Sequence, residues 1–128
     1  MIIIDLFPSK ESEAVEFKKS TSELKEAIIS IVAMLNKHRK GKLYFGVKND
    51  GNIVGQSVSE NTLREISRVI AENIEPKIFP KIIEVVFDEK RCLCVEFSGE
   101  NTPYYAYGRA YMRVADEDRK ISAKELEK

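Results

Sequence analysis

Three carboxylates in the chain could bind a divalent cation. Glu11 and Glu16 are five positions apart near the start of the sequence, and Asp50 lies in the turn-forming run Asn49–Asn52. Divalent cations prefer oxygen ligands, and a bound cation could activate a water molecule against a phosphodiester bond. Charged residues make up 33% of the chain, however, and glutamates spaced in this way are more often solvated. A metal-dependent nuclease and a solvated surface therefore both stay open.

A cluster of cations follows the first helical pattern. The run Asn36–Lys42 contains four formal cations and His38. Cations at the C-terminal end of a helix are favoured by the helix dipole, by about 0.3–1 kcal/mol each. The same residues could equally neutralise the phosphates of a nucleic acid. His38 has no Cys or second His beside it, so we expect a surface histidine and no metal site.

Basic and aromatic residues are combined near the C-terminus. The two-residue period of a strand predicts that Arg109, Tyr111 and Arg113 share the outward face of the run Arg109–Val114. Guanidinium groups bind phosphates and phenol rings stack on bases, so this face could contact a nucleic acid. A half-buried edge strand whose aromatic residues cover the core would give the same pattern. Three further tyrosines precede the strand: Tyr104, Tyr105 and Tyr107.

The composition indicates one domain without net charge. The chain has 128 residues, which is long enough to bury a single core, and its formal net charge is zero. Any attraction to nucleic acid must therefore come from an uneven distribution of charge. No apolar run reaches the roughly 18 residues of a membrane span, and the start of the chain lacks the features of a signal peptide. We therefore expect a cytoplasmic protein.

The common nucleotide-binding motifs and zinc-binding patterns do not occur in the sequence. Neither GxxxxGK[ST] nor GxGxxG is found, so nucleotide hydrolysis is not predicted and no cofactor is expected. Cys92 and Cys94 are two positions apart in a strand-like run, which places both thiols on one face and leaves too few ligands for zinc. We expect two buried free thiols.

The stretch Lys42–Gly55 predicts a β-hairpin around which the fold is organised. Apolar residues alternate in its first arm, and Asn49–Asn52 supplies residues that tolerate a tight reversal. Gly46 interrupts the first arm. A glycine inside a strand indicates that another element, such as a helix, or a ligand approaches the backbone there.

Two main helices are predicted. The first begins with a capping box formed by Ser20 and Glu23, and it ends near Gly41, which suits a helix C-cap. Its apolar stripe is wider than one face, so we expect a central helix that is covered on more than one side. A second capping box, Ser57 with Glu60, begins the other helix, which ends before a proline.

The strand patterns predict the fold class. Lys81–Asp88 and Arg91–Phe97 are joined by a polar turn and should pair antiparallel. Shorter strand patterns cover Ala14–Lys18 and Arg109–Val114, and a short apolar arm covers Met1–Phe7. We therefore predict an α+β (mixed α/β) single domain, with a mixed, mostly antiparallel sheet of about five or six strands and two main helices.

Four motifs, in this order, resemble the Schlafen Alba-like (AlbA) domain. They are Glu11–Lys18, a long helix closing near Asn36, the glycine-containing run Gly41–Gly55, and Pro103–Tyr105 followed by Gly108–Val114. The resemblance covers nearly the whole chain. It implies a DNA-binding domain of the kind found at the N-terminus of prokaryotic transcriptional regulators, often with a winged-helix region downstream.

The resemblance also suggests a nuclease, with one departure. In animal Schlafen proteins the similar domain cleaves transfer and ribosomal RNA using two glutamates and an aspartate, and Glu11 and Glu16 fall on the matching glutamates. The family commonly has acidic residues directly after the Gly-Val pair, whereas Lys48 and Asn49 stand there in this chain and only Asp50 remains. A charged lysine has no lone pair for a metal ion, so this change favours binding without cutting.

We therefore predict that the chain is a nucleic-acid-binding domain of a transcriptional regulator and that its ligand is DNA. One alternative is a metal-dependent endoribonuclease that uses Glu11, Glu16 and Asp50 with Mg or Mn, and another is a protein interaction or dimerisation module with an exposed strand. Expected partners are DNA or RNA and a downstream domain of the same parent chain; no membrane is expected, and a homodimer stays open. The candidate nucleic-acid-binding residues are Lys18, His38, Arg39, Lys40, Lys42, Lys48, Arg109, Tyr111 and Arg113.

The C-terminal residues suggest that the chain continues. Ser122 and Glu125 have the spacing of a capping box, yet the sequence stops at Lys128, after about a turn and a half of helix. A helix of this length is marginal in water, because nucleation costs more than so few hydrogen bonds return. We therefore expect residues 1–128 to be the N-terminal part of a longer protein.

Overall fold

The computed structural model describes residues 2–3 and 10–126, and within these ranges the chain forms nine strands and three α-helices. The prediction of an α+β domain is confirmed. In chain order the elements are β1 (Ile2–Ile3), β2 (Val15–Lys18), a 3-10 turn (Thr21–Glu23), α1 (Leu24–His38), β3 (Lys40–Phe45), α2 (Glu60–Asn73), β4 (Ile74–Glu75), β5 (Lys81–Phe87), β6 (Lys90–Ser98), β7 (Tyr105–Ala106), β8 (Arg109–Val114), β9 (Glu117–Lys120) and α3 (Ala123–Leu126).

The described strands form two sheets. The larger one, the main sheet, has the order β1-β5-β6-β3-β2, with β1 parallel to β5, β2 parallel to β3, and the other neighbours antiparallel. The second sheet is antiparallel and has the order β4-β7-β8-β9. The sequence patterns predict a sheet of the size of the main one but not the second sheet. Strands β4 and β7 have only two residues each, which is too short for a readable two-residue period.

Helix α1 packs against strands of both sheets, namely β3 and β6 of the main sheet and β7, β8 and β9 of the second. Its buried side chains form the larger core with Leu43 and Phe45 of β3. Helix α2 adds Ile66 and Ile70 to the same core. The prediction of a central helix that is covered on more than one side is therefore confirmed.

A smaller apolar cluster lies on the opposite face of the main sheet. The ring of Tyr44 is 6.1 Å from that of Phe17 and 5.7 Å from that of Phe87, measured between centroids. Cys92 and Cys94 are buried in this cluster and form no disulfide. The prediction that both cysteines are buried on one face without a disulfide is confirmed.

The ends of α1 differ from the predicted caps. Ser20 caps the 3-10 turn that precedes the helix, and its Oγ accepts a hydrogen bond from the N–H of Ser22. The C-cap is Arg39, with φ of 62°, and not Gly41. Gly41 already belongs to β3, where an added Cβ would lie 2.8 Å from the Phe97 ring. The glycine is therefore needed for close packing and does not end the helix.

Helix α2 begins two residues later than predicted. The Ser59 Oγ accepts a hydrogen bond from the Thr62 N–H at 3.3 Å, and the Thr62 Oγ1 accepts one from the Ser59 N–H at 3.2 Å. The predicted capping box of Ser57 and Glu60 is therefore wrong in register. Threonine fills the role that the prediction gave to a glutamate.

The predicted hairpin is confirmed only at its turn. The N–H of Lys48 donates to the Asn52 carbonyl at 2.9 Å, and the N–H of Gly51 donates to the Lys48 carbonyl at 2.8 Å. A single antiparallel bridge joins Val47 and Ile53. The second arm forms no strand, because β3 is already paired on both edges, with β2 and with β6.

Gly46 is required by the chain that follows the turn. Its φ is 104°, a conformation that residues with side chains rarely adopt. A Cβ at this position would lie 3.0 Å from the Cys92 Sγ and 3.1 Å from the backbone of Gly55, whose N–H donates to the Gly46 carbonyl. The expected close approach of another element to Gly46 is therefore confirmed, but the element is β6, through Cys92, together with the chain after the turn, and not a helix.

The ends of the chain are described in part. The predicted apolar arm Met1–Phe7 is described only at Ile2–Ile3, and its other residues lie outside the described ranges. Near the other end, the Ser122 Oγ and the Glu125 Oε1 accept hydrogen bonds from each other's backbone N–H, so this capping box is confirmed. No helix in the described ranges is long and apolar enough to cross a membrane.

Replacing Gly46 with alanine should destabilise the protein more than the same change at Gly108. Both glycines have positive φ, and a residue with a side chain costs about 1 kcal/mol there. An added Cβ at Gly108 meets nothing within 4 Å, whereas Gly46 is closely packed. We expect the free energy of unfolding to fall by about 1 kcal/mol in Gly108→Ala and by at least ~2 kcal/mol in Gly46→Ala. Urea denaturation measures both losses, and equal values would contradict the packing described for Gly46.

Candidate nucleic-acid interface

A groove lies on the face of the main sheet that is turned away from α1. In β3, Leu43 and Phe45 point into the core with α1, so the alternate residues Lys42 and Tyr44 point to the opposite face. The groove has a volume of about 660 Å³. Its charged and aromatic lining residues are Lys40, Lys42, Lys81, Glu96, Tyr44, Phe79 and Phe97.

The groove carries more positive than negative charge. It is lined by Lys40, Lys42 and Lys81, and Glu96 is the one carboxylate among its described lining residues. In the register of the sheet, Glu96 on β6 is the partner of both Lys42 on β3 and Lys81 on β5. The Glu96 Oε2 is 3.5 Å from the Lys42 Nζ. Three ammonium groups against one carboxylate leave two unbalanced positive charges in the groove.

An exposed aromatic ring stands beside these lysines. Phe79 exposes 91% of its surface, whereas the preceding residue, Ile78, is buried in the larger core. The connector between β4 and β5 therefore turns one apolar residue inward and the next outward. The sequence interpretation missed Phe79 and Lys81. A readable signal was present, because an aromatic residue stands between Lys77 and Lys81 in a connector bounded by prolines.

The residues predicted to bind nucleic acid do not share one surface. Lys40 and Lys42 line the groove, and Arg39 directly precedes them at the end of α1. The Arg39 Nε is 3.4 Å from the Glu100 Oε2, in an exposed ion pair. Lys48 is exposed at the tip of the turn and lines a separate hollow.

Two further candidates, His38 and Lys18, make ion pairs outside the groove. The His38 Nε2 is 2.9 Å from the Glu13 Oε1, and the other oxygen of Glu13 accepts the Ala115 N–H at 3.1 Å. The hydrogen bond from Ala115, together with that from His38, holds the pKa of Glu13 below its ordinary value. The Lys18 Nζ is 3.1 Å from the Glu16 Oε2. Both candidates therefore already have anionic partners within the protein.

Arg113 is buried, which corrects the prediction that it faces outward. Its Nη2 is 2.7 Å from the Glu16 Oε1, and its Nη1 is 2.7 Å from the Asp118 Oδ1. The Nη2 also donates to the carbonyls of Ser12 at 2.9 Å and Val15 at 3.2 Å. Burial alone would lower the pKa of this guanidinium, but the Asp118 and Glu16 carboxylates raise it, so the side chain stays charged.

The strand that carries Arg113 does not follow a simple alternation. Ala110 and Arg113 are buried, Arg109 is exposed, and Tyr111 is half-buried against the larger core. Strand β8 packs against α1 and also reaches β2 through Arg113, so both of its faces are covered near this residue. The predicted outward face therefore holds for Arg109 and is wrong for Arg113 and Tyr111.

The carboxylates Glu11, Glu16 and Asp50 do not form one metal site. Among the described residues, no group of three or more His, Cys, Asp and Glu side chains is placed to hold a metal ion. Both carboxylate oxygens of Glu16 are paired, one with Arg113 and the other with Lys18. Asp50 is exposed at the tip of the turn. The ligand set of the nuclease alternative is therefore not brought together.

Glu11 lies beside Glu16 and takes up a proton near neutral pH. Burial, together with a hydrogen bond to Glu16, raises the pKa of Glu11 from 4.5 to about 7. Its Oε2 also accepts the Phe17 N–H at 3.0 Å, which acts in the opposite direction. Three carboxylates meet two cations here, and protonation of Glu11 removes the surplus negative charge. We call this group the buried ion cluster: Glu11, Glu16, Lys18, Arg113 and Asp118.

The buried ion cluster also covers the outer edge of β2. The N–H of Phe17 is bound by Glu11, and the carbonyl of Val15 accepts hydrogen bonds from the Ser12 N–H at 2.9 Å and from Arg113. An open strand edge offers unpaired backbone groups to other chains. The groups named here already have partners, so the interaction-module alternative finds no open edge at this part of β2.

Comparison with protein families gives one match over most of the chain. A family model described as Schlafen, AlbA_2 matches residues 11–122. The matched range includes the whole buried ion cluster and the lining residues of the groove. Comparison with curated proteins gave no match.

Several solved structures resemble this fold. A crystal structure of a protein from Corynebacterium diphtheriae is 19% identical, with a TM-score of 0.69 over 89% of this chain and 23% of that chain. The solution structure of the N-terminal domain of a RecG-related protein from Nitrosomonas europaea is 21% identical, with a TM-score of 0.60 over 88% of this chain and 85% of that chain. This chain therefore spans less than a quarter of the Corynebacterium protein. At these identities the likeness shows the fold.

Truncating Arg113 should destabilise the protein strongly. Arg113→Ala leaves the buried Glu16 and the half-buried Asp118 without their common partner, and breaking a buried pair in this way costs about 3–5 kcal/mol. Arg109→Ala, on the same strand but exposed, is the matched control and should change the free energy of unfolding by less than about 0.5 kcal/mol. Chemical denaturation measures both. A loss of under 1 kcal/mol in Arg113→Ala would contradict a structural role for this residue.

The raised pKa of Glu11 predicts a pH-dependent effect of Glu11→Gln. The carboxyl contributes its full stability below its unfolded pKa, and this contribution is lost as the pH rises from about 4.5 through about 7. Glutamine keeps both hydrogen bonds and does not ionise, so the variant should gain stability relative to the wild type between pH 5 and pH 8. Because Glu11 is only partly buried, we expect a gain of about 1 kcal/mol.

Thermal unfolding of both proteins at pH 5 and pH 8 measures this gain. A difference in Tm between variant and wild type that is the same at both pH values would contradict the raised pKa.

Proposed function

We propose that this chain, which belongs to the Schlafen, AlbA_2 family, is a nucleic-acid-binding domain that contacts its ligand through the groove on the main sheet. The observation that carries the proposal is the set of lysines Lys40, Lys42 and Lys81, which face a single carboxylate, Glu96. The chain as a whole has no formal net charge, so this groove concentrates positive charge that the total does not reveal.

The spacing of the lysines suits a polyanion. Lys42 lies on β3 and Lys81 on β5, with β6 between them, which places the two strands about 10 Å apart. That distance is about three nucleotides at a rise of 3.4 Å per nucleotide along a strand. An ammonium group can neutralise a phosphate without any base contact, so this surface favours affinity over sequence specificity.

The Nitrosomonas structure supports DNA as the ligand. That domain belongs to a protein that is named as related to the ATP-dependent DNA helicase RecG, and its fold is similar to that of this chain. With the resemblance to domains of prokaryotic transcriptional regulators, this supports a DNA-binding role in a cytoplasmic regulator. The Corynebacterium protein is more than four times as long as the part that this chain matches, which favours a parent chain with additional domains.

Binding is favoured over cutting by the contacts of the buried ion cluster. Glu16 is held by Arg113 and Lys18, so its oxygens are engaged in ion pairs within the protein. A metal ion would have to displace both cations before Glu16 could act as a ligand. The groove, in contrast, presents Lys40 and Lys81 to solvent, and its Lys42 is held only by a 3.5 Å contact with the half-exposed Glu96.

The lysines of the groove should set the salt dependence of binding. Lys42→Ala and Lys81→Ala should each weaken binding of unrelated oligonucleotides to a similar extent, and each should reduce the slope of log K against log salt by about one unit. Fluorescence anisotropy with labelled single- and double-stranded DNA over a range of salt concentrations measures the slope. Lys120→Ala is the control, because Lys120 is an exposed lysine on β9 of the second sheet.

The proposed surface would be wrong if Lys120→Ala changed the slope as much as the groove variants. The proposed function itself would be wrong if the wild-type protein bound no oligonucleotide at low salt.

A further inference from the structure

We infer that the ligand of the groove is a single strand of nucleic acid, one base of which stacks on the ring of Phe79. This inference rests on the proposed function of nucleic-acid binding and specifies its ligand. It is carried by the position of an exposed aromatic ring among the three lysines of the groove.

The exposure of Phe79 is unusual within this protein. The next most exposed large apolar side chain among the described residues is Val54 at 38%, whereas Phe79 reaches 91%. A phenyl ring in water is unfavourable, by about 25 cal/mol for each Å² of apolar surface that is left uncovered. Other residues on this face of the sheet, such as Phe17 and Tyr44, are buried. The ring is therefore available to a ligand and contributes little to the core.

The backbone that carries Phe79 is held in place on both sides. Ile78 is buried in the larger core and anchors the connector from one side, and Pro80 restricts the backbone on the other. Lys81, the next residue, begins β5 and lines the same groove. The aromatic ring and a phosphate-binding cation are thus held two positions apart by a strand and a core contact.

The combination of lysines and an aromatic ring is what a single strand requires. Lysines follow the phosphates, and an aromatic ring stacks on an unpaired base, whose faces are open. In a duplex the faces of each base are covered by its neighbours, so an aromatic side chain at the surface finds no base to stack on. A groove that bound duplex DNA without unstacking its bases would need the lysines and would gain little from Phe79.

The experiment uses variants of Phe79 and three probes. The probes are fluorescein-labelled oligo-dT and oligo-U of 12 nucleotides and a 12-base-pair duplex of mixed sequence, measured by anisotropy. Phe79→Ala should weaken binding of the single strands by about 5- to 100-fold and leave duplex binding within about twofold. Phe79→Leu keeps an apolar side chain but has no aromatic face, so it should behave as Phe79→Ala does. Val114→Ala is the control, because it shortens another exposed apolar side chain and should change neither.

Phe79→Trp gives a direct readout of stacking. The chain contains no tryptophan, so the introduced indole is the only one in the protein. The variant should bind single strands at least as tightly as the wild type, and its emission should be quenched when a base stacks on the indole. Quenching by oligo-dT or by oligo-U supports the inference. The oligonucleotide that quenches the emission at the lower concentration is the preferred strand.

The outcomes separate this inference from the proposed function. If Phe79→Ala bound each probe as tightly as the wild type does, while Lys42→Ala bound more weakly, the stacking role would be overturned. The groove would then remain the binding surface. Unchanged tryptophan emission at saturating oligonucleotide would overturn the stacking role as well. If the wild-type protein bound none of the three probes at low salt, both proposals would be overturned.

Discussion

The charge of Arg113 is the constraint on which the arrangement of the two sheets depends. Its guanidinium joins Asp118 of β9 to Glu16 of β2, and it also binds the carbonyls of Ser12 and Val15. Burying an isolated charge costs several kcal/mol, so the guanidinium can be buried only where both carboxylates and both carbonyls meet it. This side chain therefore ties the second sheet to the edge of the main sheet, in addition to the packing of both sheets against α1.

Other features of this region follow from the same side chain. Helix α1 joins the cluster because the Ser30 hydroxyl donates to the Asp118 Oδ2 at 2.5 Å. The carboxylates outnumber the cations, so Glu11 lowers the imbalance by holding a proton near neutral pH. The hydrogen bonds of Glu11 and Arg113 to the backbone of β2 cover an edge that would otherwise be open to other strands. Stability, protonation and protection of the sheet edge are thus coupled.

The sequence predicts the helices and strands better than it predicts which of them contact each other. The helices and the pair β5–β6 are predicted because their patterns are local and long. The orientation of Arg113 could not be predicted in this way, because its acceptors at Ser12 and Val15 are 101 and 98 positions away. A buried arginine in a short strand has the same local pattern as an exposed one. Lys40 and Lys42 were found because they are clustered in sequence, whereas Lys81 joins them only through the pairing of β5 with β6.

The division of charge supports the proposed binding of a polyanion by a chain without net charge. In the buried ion cluster the cations are matched by carboxylates, so these charges stabilise the fold and are not available to a ligand. The groove has the opposite balance, with two cations unmatched. Its lysines stand on β3 and β5, which are held by β6 and by the larger core beneath, and Phe79 is anchored through Ile78. A ligand would therefore order only the ends of the lysine side chains, and little of the binding free energy would be lost in ordering the backbone.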